Sequence, residues 1–166
     1  MIAIQIKDIK TFMSKLLNSE LFDSFLLEEA QVRTYNNFLI EGHMNKDFFT
    51  KEEQEDSEIF PYEYSLWKTL KPIIFQLIKG KKVPSFLKLT LLCNPQKAQN
   101  LLLESENEEL LKVLKYFVAT IKYDIHGLWI TTGTSFTTFV IDKSADNLWD
   151  HYLCNFLTQN GIDYNL

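Results

Sequence analysis

Hydrophobic and polar residues alternate most regularly between Tyr116 and Ile141, in the sequence YFVATIKYDIHGLWITTGTSFTTFVI. Such alternation is typical of β-strands that bury one face and leave the other in water. A two-residue turn at His126-Gly127 and a second turn within Gly133–Ser135 would divide the stretch into three antiparallel strands, with Ile121 opposite Thr132. We predict that the three strands share one apolar face, formed by Phe117, Ala119, Ile121, Tyr123, Ile125, Leu128, Ile130, Phe139 and Ile141.

A second alternating stretch lies between Phe25 and Met44 and predicts a β-hairpin. A three-residue loop at Tyr35–Asn37 suits the turn, because asparagine tolerates the left-handed backbone region. This loop would place Val32 opposite Ile40 on an apolar face. The other face of the hairpin would then carry Glu29, Gln31, Arg33, Glu41 and His43.

The remaining elements of the first half are a short strand and two helices. Residues 2–6 alternate as a strand, and Asp8 is placed to cap a helix whose hydrophobic residues recur at helical spacing up to about Asn18. A longer helix is predicted from about Tyr62 to Lys79. Because proline lacks an amide hydrogen and clashes with the preceding turn, Pro72 should kink this helix or begin a second one.

The second half of the chain adds a strand and two helices to the alternating stretch. The run Phe86–Cys93 has hydrophobic residues on both sides, which predicts a central strand. Asn94 and Pro95 suit the N-cap and first position of the next helix. Ser144 is predicted to cap the last helix, and Gly161 to end it.

These elements predict an α+β fold, in which an antiparallel sheet carries helices on one face. The chain is long enough for a single domain over residues 1–166, and its possible halves, 1–84 and 85–166, both follow a strand–helix–strands order. That order resembles the duplicated unit of the sliding-clamp fold, in which helices line one face of a curved antiparallel sheet. No motif of that family is matched residue by residue, so the resemblance is one of architecture.

Four segments spread along the chain resemble those of a bacterial protein family of unknown function. They are IKDIKTFMSKLL, LIKGKKVP, TTGTS and LWDHYLCNFL, and together they span most of the length. The resemblance brings no activity with it. It implies a stand-alone, intracellular bacterial protein.

The composition is that of a globular protein rich in aromatic residues, with 46% hydrophobic residues and a net charge of −5. Cys93 and Cys154 have no paired spacing, and the start of the sequence lacks the features of a signal peptide, so we expect a cytoplasmic location. The apolar runs are shorter than the roughly 20 residues that a membrane span needs. The sequence therefore predicts no membrane partner.

The sequence carries no signature of a metal, cofactor or nucleophile site. Its three histidines, His43, His126 and His151, lie far apart, and none is spaced from another as helical metal ligands are. The hydroxyl-rich stretch Thr131–Ser135 resembles a phosphate cradle in composition, but it lacks the P-loop pattern and does not lead directly into a helix. We therefore predict neither a metal nor a cofactor, and no catalytic residue.

A cluster of lysines is the main functional lead in this acidic chain. It comprises Lys68, Lys71, Lys79, Lys81, Lys82 and Lys88. The helix dipole favours lysine at a helix C-terminus and explains the three that flank Gly80, but the excess still points to an anionic partner. The candidate binding residues are Lys68, Lys71, Lys79, Lys81 and Lys82. Trp67 and Phe86 lie nearby and are equally suited to stacking on bases or to a core.

Two hypotheses of function follow. The first is a non-enzymatic binding module, clamp-like in shape, that engages a nucleic acid or a protein partner and self-associates. The second is an enzyme that acts on a small phosphorylated substrate through the basic turn at Lys79–Lys82 and the Thr131–Ser135 loop. A concave pocket joining the two would favour the enzyme, and a flat or convex lysine surface would favour the module.

Overall fold

The computed structural model describes all residues from 1 to 166 and contains one seven-stranded sheet. Its strands are β1 (Ala3–Ile6), β2 (Leu26–Arg33), β3 (Asn37–Glu41), β4 (Phe86–Leu92), β5 (Leu114–Asp124), β6 (Gly127–Phe136) and β7 (Tyr164–Asn165). They lie in the order β3-β2-β4-β5-β6-β1-β7, and every neighbouring pair is antiparallel. Strands from both halves of the chain therefore share one sheet.

Five α-helices accompany the sheet, which confirms the predicted α+β class. They are α1 (Ile9–Asn18), α2 (Lys51–Glu55), α3 (Trp67–Ile78), α4 (Pro95–Glu104) and α5 (Ser144–Gln159). Two short 3-10 helices occupy Lys46–Phe48 and Glu108–Lys112. None of the helices is long and apolar enough to cross a bilayer.

One hydrophobic core joins α1, α3, α4 and α5 to a single face of the sheet. Two buried tryptophans anchor the helices, because each also donates a hydrogen bond to backbone. The Trp149 ring of α5 stacks on Phe117 of β5 with centroids 5.1 Å apart, and its indole N–H donates to the Val118 carbonyl at 2.7 Å. The indole N–H of Trp67, in α3, donates to the Leu16 carbonyl at 3.1 Å.

Most predicted helix ends are confirmed. The Asp8 carboxylate accepts from the Thr11 amide at 3.0 Å, and the Asn94 side chain accepts from the Gln96 amide at 3.0 Å. Gly161 ends α5 with a left-handed φ of 65°. The predicted cap at Ser144 is wrong: α5 begins at Ser144 itself, and the carboxylate of Asp142 accepts from its amide at 2.7 Å.

Both predicted hairpins form, but each turn lies one residue earlier than predicted. Ile121 pairs with Ile130 instead of Thr132, and Val32 pairs with Phe38 instead of Ile40. A strand shifted by two residues keeps the same side chains on the same face, since the pleat has a period of two. The apolar faces are therefore largely correct, except that Ile125 falls in the turn and is 89% exposed.

The predicted third strand of the alternating stretch does not form. Strand β6 continues through Gly133–Ser135, where a turn was expected, and Phe139 and Ile141 lie in an irregular segment with 90% and 80% exposure. The reason is that both edges of β6 are already taken, by β5 on one side and by β1 on the other. No edge is left for a returning strand.

Helix α3 begins at Trp67, five residues later than predicted, and continues through Pro72 as one helix. The residues before it are extended. They pair with β2 and with the segment after β3 at the point where these two strands separate, here called the fork. The Leu27 amide donates to the Ser65 carbonyl at 2.9 Å, and the Ser65 amide donates to the Gly42 carbonyl at 2.8 Å. Backbone pairing thus replaces the first predicted turns of the helix.

Gly42 lies at this fork, where β3 diverges from β2. A Cβ atom there would lie 1.7 Å from the Leu27 carbonyl oxygen, so no side chain can be accommodated without moving backbone. The Gly42 amide donates to the Glu28 carbonyl at 2.8 Å, and this hydrogen bond holds the two backbone segments close together. Glycine is thus required by close approach.

We expect Gly42→Ala to lower the free energy of unfolding by about 3 kcal/mol or more, because the added methyl group overlaps backbone atoms. Gly133→Ala is the matched control within the same sheet. Its Cβ would lie 3.9 Å from the nearest atom, the Val118 Cβ, so its effect should stay below about 1 kcal/mol. Urea denaturation followed by circular dichroism measures both, and equal losses would contradict the proposed close approach.

Candidate functional site

The structure separates the candidate lysines into different environments. Lys71 bonds to the Asp23 carboxylate and to the Ser19 carbonyl, and its side chain is only 14% exposed. Lys68 lines a groove that also contains Glu20 and Asp23. Both belong to the first half of α3. Acidic neighbours therefore offset these two lysines.

Lys79, Lys81 and Lys82 form the turn that follows α3, here called the basic turn. None of the three takes part in a salt bridge. The turn leads into β4 at the end of the sheet where the β2–β3 and β5–β6 hairpins also turn. The basic turn therefore keeps its charge available at one end of the sheet.

Three large hydrophobic side chains are exposed at this same end of the sheet. Tyr35 in the β2–β3 turn is 88% exposed, Val83 beside the basic turn is 73% exposed, and Ile125 in the β5–β6 turn is 89% exposed. Tyr35 and Lys79 line one groove. Apolar and basic groups are thus combined at this end.

The sheet face opposite the helices, here called the open face, carries polar residues at its centre. One row of directly paired positions crosses it: Gln31, Lys88, Lys122, Trp129 and Gln5. The adjacent row holds Glu29, Thr90, Thr120, Thr131 and Ala3. Trp129 is partly exposed, and Lys88 and Lys122 have side-chain exposures of 40% and 51%.

Lys88 and Lys122 occupy directly opposite positions on β4 and β5. Directly opposite side chains lie about 4.5–5.5 Å apart at Cβ, so two like charges there repel each other. Lys122 Nζ lies 2.8 Å from an oxygen of Asp124, whereas Lys88 Nζ lies 3.7 Å from the nearest oxygen of Glu29. Each lysine thus has a carboxylate neighbour that offsets the repulsion.

Trp67 and Phe86, the two aromatic residues near the lysine cluster, differ in exposure. Trp67 is fully buried in the core and is unavailable for stacking. Phe86 lies on the open face, two positions along β4 from Lys88, and the Arg33 guanidinium lies over its ring at 5.1 Å from the centroid. Trp129 is an aromatic residue of this face that sequence analysis missed, because cross-strand proximity has no local signal.

The hydroxyl-rich stretch does not form a phosphate-binding loop, because Thr131–Ser135 lies inside β6. The Thr132 hydroxyl is buried and bonds to the Asp150 carboxylate, and the Thr134 hydroxyl donates to Asp146 at 2.6 Å. The negative charge of these carboxylates would repel a phosphate group bound at the two hydroxyls. The stretch and the basic turn also lie in different parts of the sheet, so the geometry required by the enzyme hypothesis is missing.

An acidic and aromatic groove of about 710 Å³ lies near His43 and Glu63, at the end of the β2–β3 hairpin opposite its turn. His43 Nε2 is 3.4 Å from the Glu63 carboxylate, and the Tyr116 hydroxyl donates to that carboxylate at 3.2 Å. Burial and the charge of Glu63 raise the pKa of Tyr116 to about 12. No three histidine, cysteine or carboxylate groups converge as metal ligands in the protein.

The fold and the open face define an α+β protein with one helix-covered and one polar sheet face. The chain belongs to a family of unknown function, DUF5721, whose model matches residues 15–165. This finding confirms the predicted membership of a family without a known activity. No curated protein matches the chain. No solved structure matches it either.

Neither cysteine forms a disulfide, and they differ in burial. Burial raises the pKa of Cys93 to about 12, which keeps its thiol neutral at pH 8. Because the thiolate is the reactive form, we expect Cys93 to resist alkylation by iodoacetamide in the native protein and to react after denaturation. Partly exposed Cys154 is the internal reference. Peptide mass spectrometry measures both sites, and native labelling of Cys93 at the rate of Cys154 would contradict this expectation.

Proposed function

We propose that this protein is a non-enzymatic binding module that holds single-stranded nucleic acid on its open face. The observation that carries this proposal is the pair of opposed lysines, Lys88 and Lys122, at the centre of that face. Two like charges in directly paired positions repel each other, and in the free protein Glu29 and Asp124 offset that repulsion. A phosphate group between them would take over this role from the two carboxylates and gain two charge-assisted hydrogen bonds.

Aromatic residues beside the lysines support the choice of a nucleic acid over a simple anion. Trp129 is paired with Lys122, and Phe86 lies along β4 from Lys88. A sheet face with partly exposed rings next to basic groups suits unpaired bases, which stack on aromatic faces while their phosphates meet the lysines. The paired bases of a duplex would not be accessible for such stacking.

The basic turn extends this surface at the end of the sheet. Lys79, Lys81 and Lys82 precede Phe86 by only a few residues and have no ionic partners. They would attract the phosphate backbone as it leaves the open face. Lys68 and Lys71 contribute less, because acidic groups lie beside them.

Two further statements complete the proposal. A clamp-like mode of binding agrees with the packing of four helices on one face of the sheet. A cytoplasmic location agrees with the two free thiols, since disulfides are rare in reducing compartments.

The first test is stacking. Trp129→Ala should weaken binding of a labelled oligothymidylate or oligouridylate by roughly 5- to 150-fold, the effect of losing one base–aromatic stack. Phe48→Ala is the matched control, since Phe48 is 82% exposed and lies outside the sheet, in the Lys46–Phe48 3-10 helix. Fluorescence anisotropy at low salt measures both. Equal affinities for wild type and the Trp129 variant would eliminate this ring as a platform.

The second test is charge. Each phosphate contact on a single strand contributes about −0.7 to the slope of log affinity against log salt, so Lys88→Gln/Lys122→Gln should make that slope about 1.4 less steep. The Trp129 variant should leave the slope unchanged. Lys51→Gln/Lys112→Gln removes the same charge elsewhere and is the control. Absence of binding by the wild type at low salt would overturn the proposal.

A contact with a protein, including self-association, is the second candidate. Phe139 and Ile141 are 90% and 80% exposed in an irregular segment, and such neighbouring apolar side chains favour a protein interface. We expect Phe139→Ser/Ile141→Ser to convert any oligomer to monomer without loss of stability, since neither side chain is in the core. Light scattering after size exclusion measures this, and a monomeric wild type at 100-fold different concentrations would remove self-association.

A further inference from the structure

A second groove lies on the helix side of the basic end, between α1 and the basic turn. Its volume of about 520 Å³ lies within the roughly 300–1,000 Å³ of small-molecule sites. Seven hydrophobic residues line it, among them Ile9, Met13 and Leu17 of α1, Ile78 of α3 and Tyr123 of β5. Several of these side chains pack against the core but stay partly exposed, so the apolar surface is incompletely covered.

The charged residues of this groove all have one sign. Lys10, Lys81 and Lys82 line it, and no aspartate or glutamate does, although acidic residues outnumber basic ones in the whole chain. None of the three lysines forms a salt bridge. The groove therefore combines an apolar surface with unpaired positive charge.

We propose that this groove binds a single-chain anionic amphiphile, with its hydrocarbon chain against Met13 and Leu17 and its carboxylate or phosphate near Lys10, Lys81 and Lys82. An aliphatic chain would bury the partly exposed apolar side chains. The head group would stay at the partly hydrated rim, where the lysines reach it without losing their own hydration. A purely polar phosphate compound would leave the apolar lining uncovered, and a neutral hydrocarbon would leave the lysines unpaired.

The apolar lining that α1 contributes lies on the opposite side of the sheet from the open face, although Lys81 and Lys82 of the basic turn belong to both proposals. The groove does not depend on nucleic-acid binding. Trp129→Ala, which removes the proposed base platform, should leave amphiphile binding unchanged. Failure of one proposal can thus be told apart from failure of the other.

The probe for the test is cis-parinaric acid, whose fluorescence rises on transfer to an apolar site. We expect it to bind the wild type and to be displaced by saturated fatty acids. Each methylene added between octanoate and dodecanoate should improve displacement about fourfold until the groove is filled. Methyl esters of the same acids should bind about tenfold more weakly, because they lack the charge that the three lysines meet.

Two variants and a matched control examine the same groove from the protein side. Lys10→Gln/Lys81→Gln/Lys82→Gln should weaken the acid about tenfold and remove the difference between acid and ester. Val83→Asp places a negative charge on a lining residue that is 73% exposed, so it should abolish probe binding while the protein stays folded. Lys46→Gln/Lys51→Gln/Lys112→Gln changes the net charge equally at distant exposed sites and should bind as wild type.

Two further arms identify the source of the anion. Inorganic phosphate at millimolar concentration should not displace the probe, and sedimentation with phosphatidylglycerol vesicles should not deplete the protein from solution. Displacement by phosphate alone would assign the lysines to a polar ligand and overturn the proposal. Sedimentation with vesicles in the absence of fatty-acid binding would also overturn it, in favour of a membrane surface.

Discussion

The burial of four helices against one face of a single sheet is the constraint on which the rest of the structure depends. Because α1, α3, α4 and α5 share one core, the strands must turn most of their hydrophobic residues to that side. The central strands β4, β5 and β6 meet this demand with alternating sequences. Their other side chains face away from the core, and this is what makes the polar open face available for binding.

The sequence predicted faces better than pairings, for a reason that lies in strand geometry. A period of two determines which side chains share a face, and it is unchanged by the two-residue shift seen at both hairpins. The register is set by the turn. In the β5–β6 hairpin the turn residues are Ile125 and His126, and a hydrophobic residue such as Ile125 is not expected at an exposed turn position. Caps such as Asp8 and Asn94 were predictable because each acts within one helical turn.

What sequence reasoning missed depends on contacts between distant parts of the chain. Trp129 adjoins Lys122, and Lys122 adjoins Lys88, only because three strands pair in a particular order. The basic turn was visible in the sequence as a run of lysines. The salt bridge between Lys71 and Asp23, and the groove that Lys10 and Lys81 line together, follow from helix packing and have no local signal. The late start of α3 likewise reflects backbone pairing at Gly42, which no propensity encodes.

The position of β1 between β6 and β7 has a consequence for folding kinetics. Both of its partners come from the far end of the sequence, so its pairing carries a large loop-closure cost and belongs to a late step. Until then the outer edge of β6 is open, and the alternating residues Phe139 and Ile141 follow it directly in the chain. This segment is a local competitor for the edge that the native structure gives to a distant strand. We therefore expect β1 to pair with β6 more slowly than the neighbouring 137–141 segment could, so that a transient non-native pairing precedes the native one.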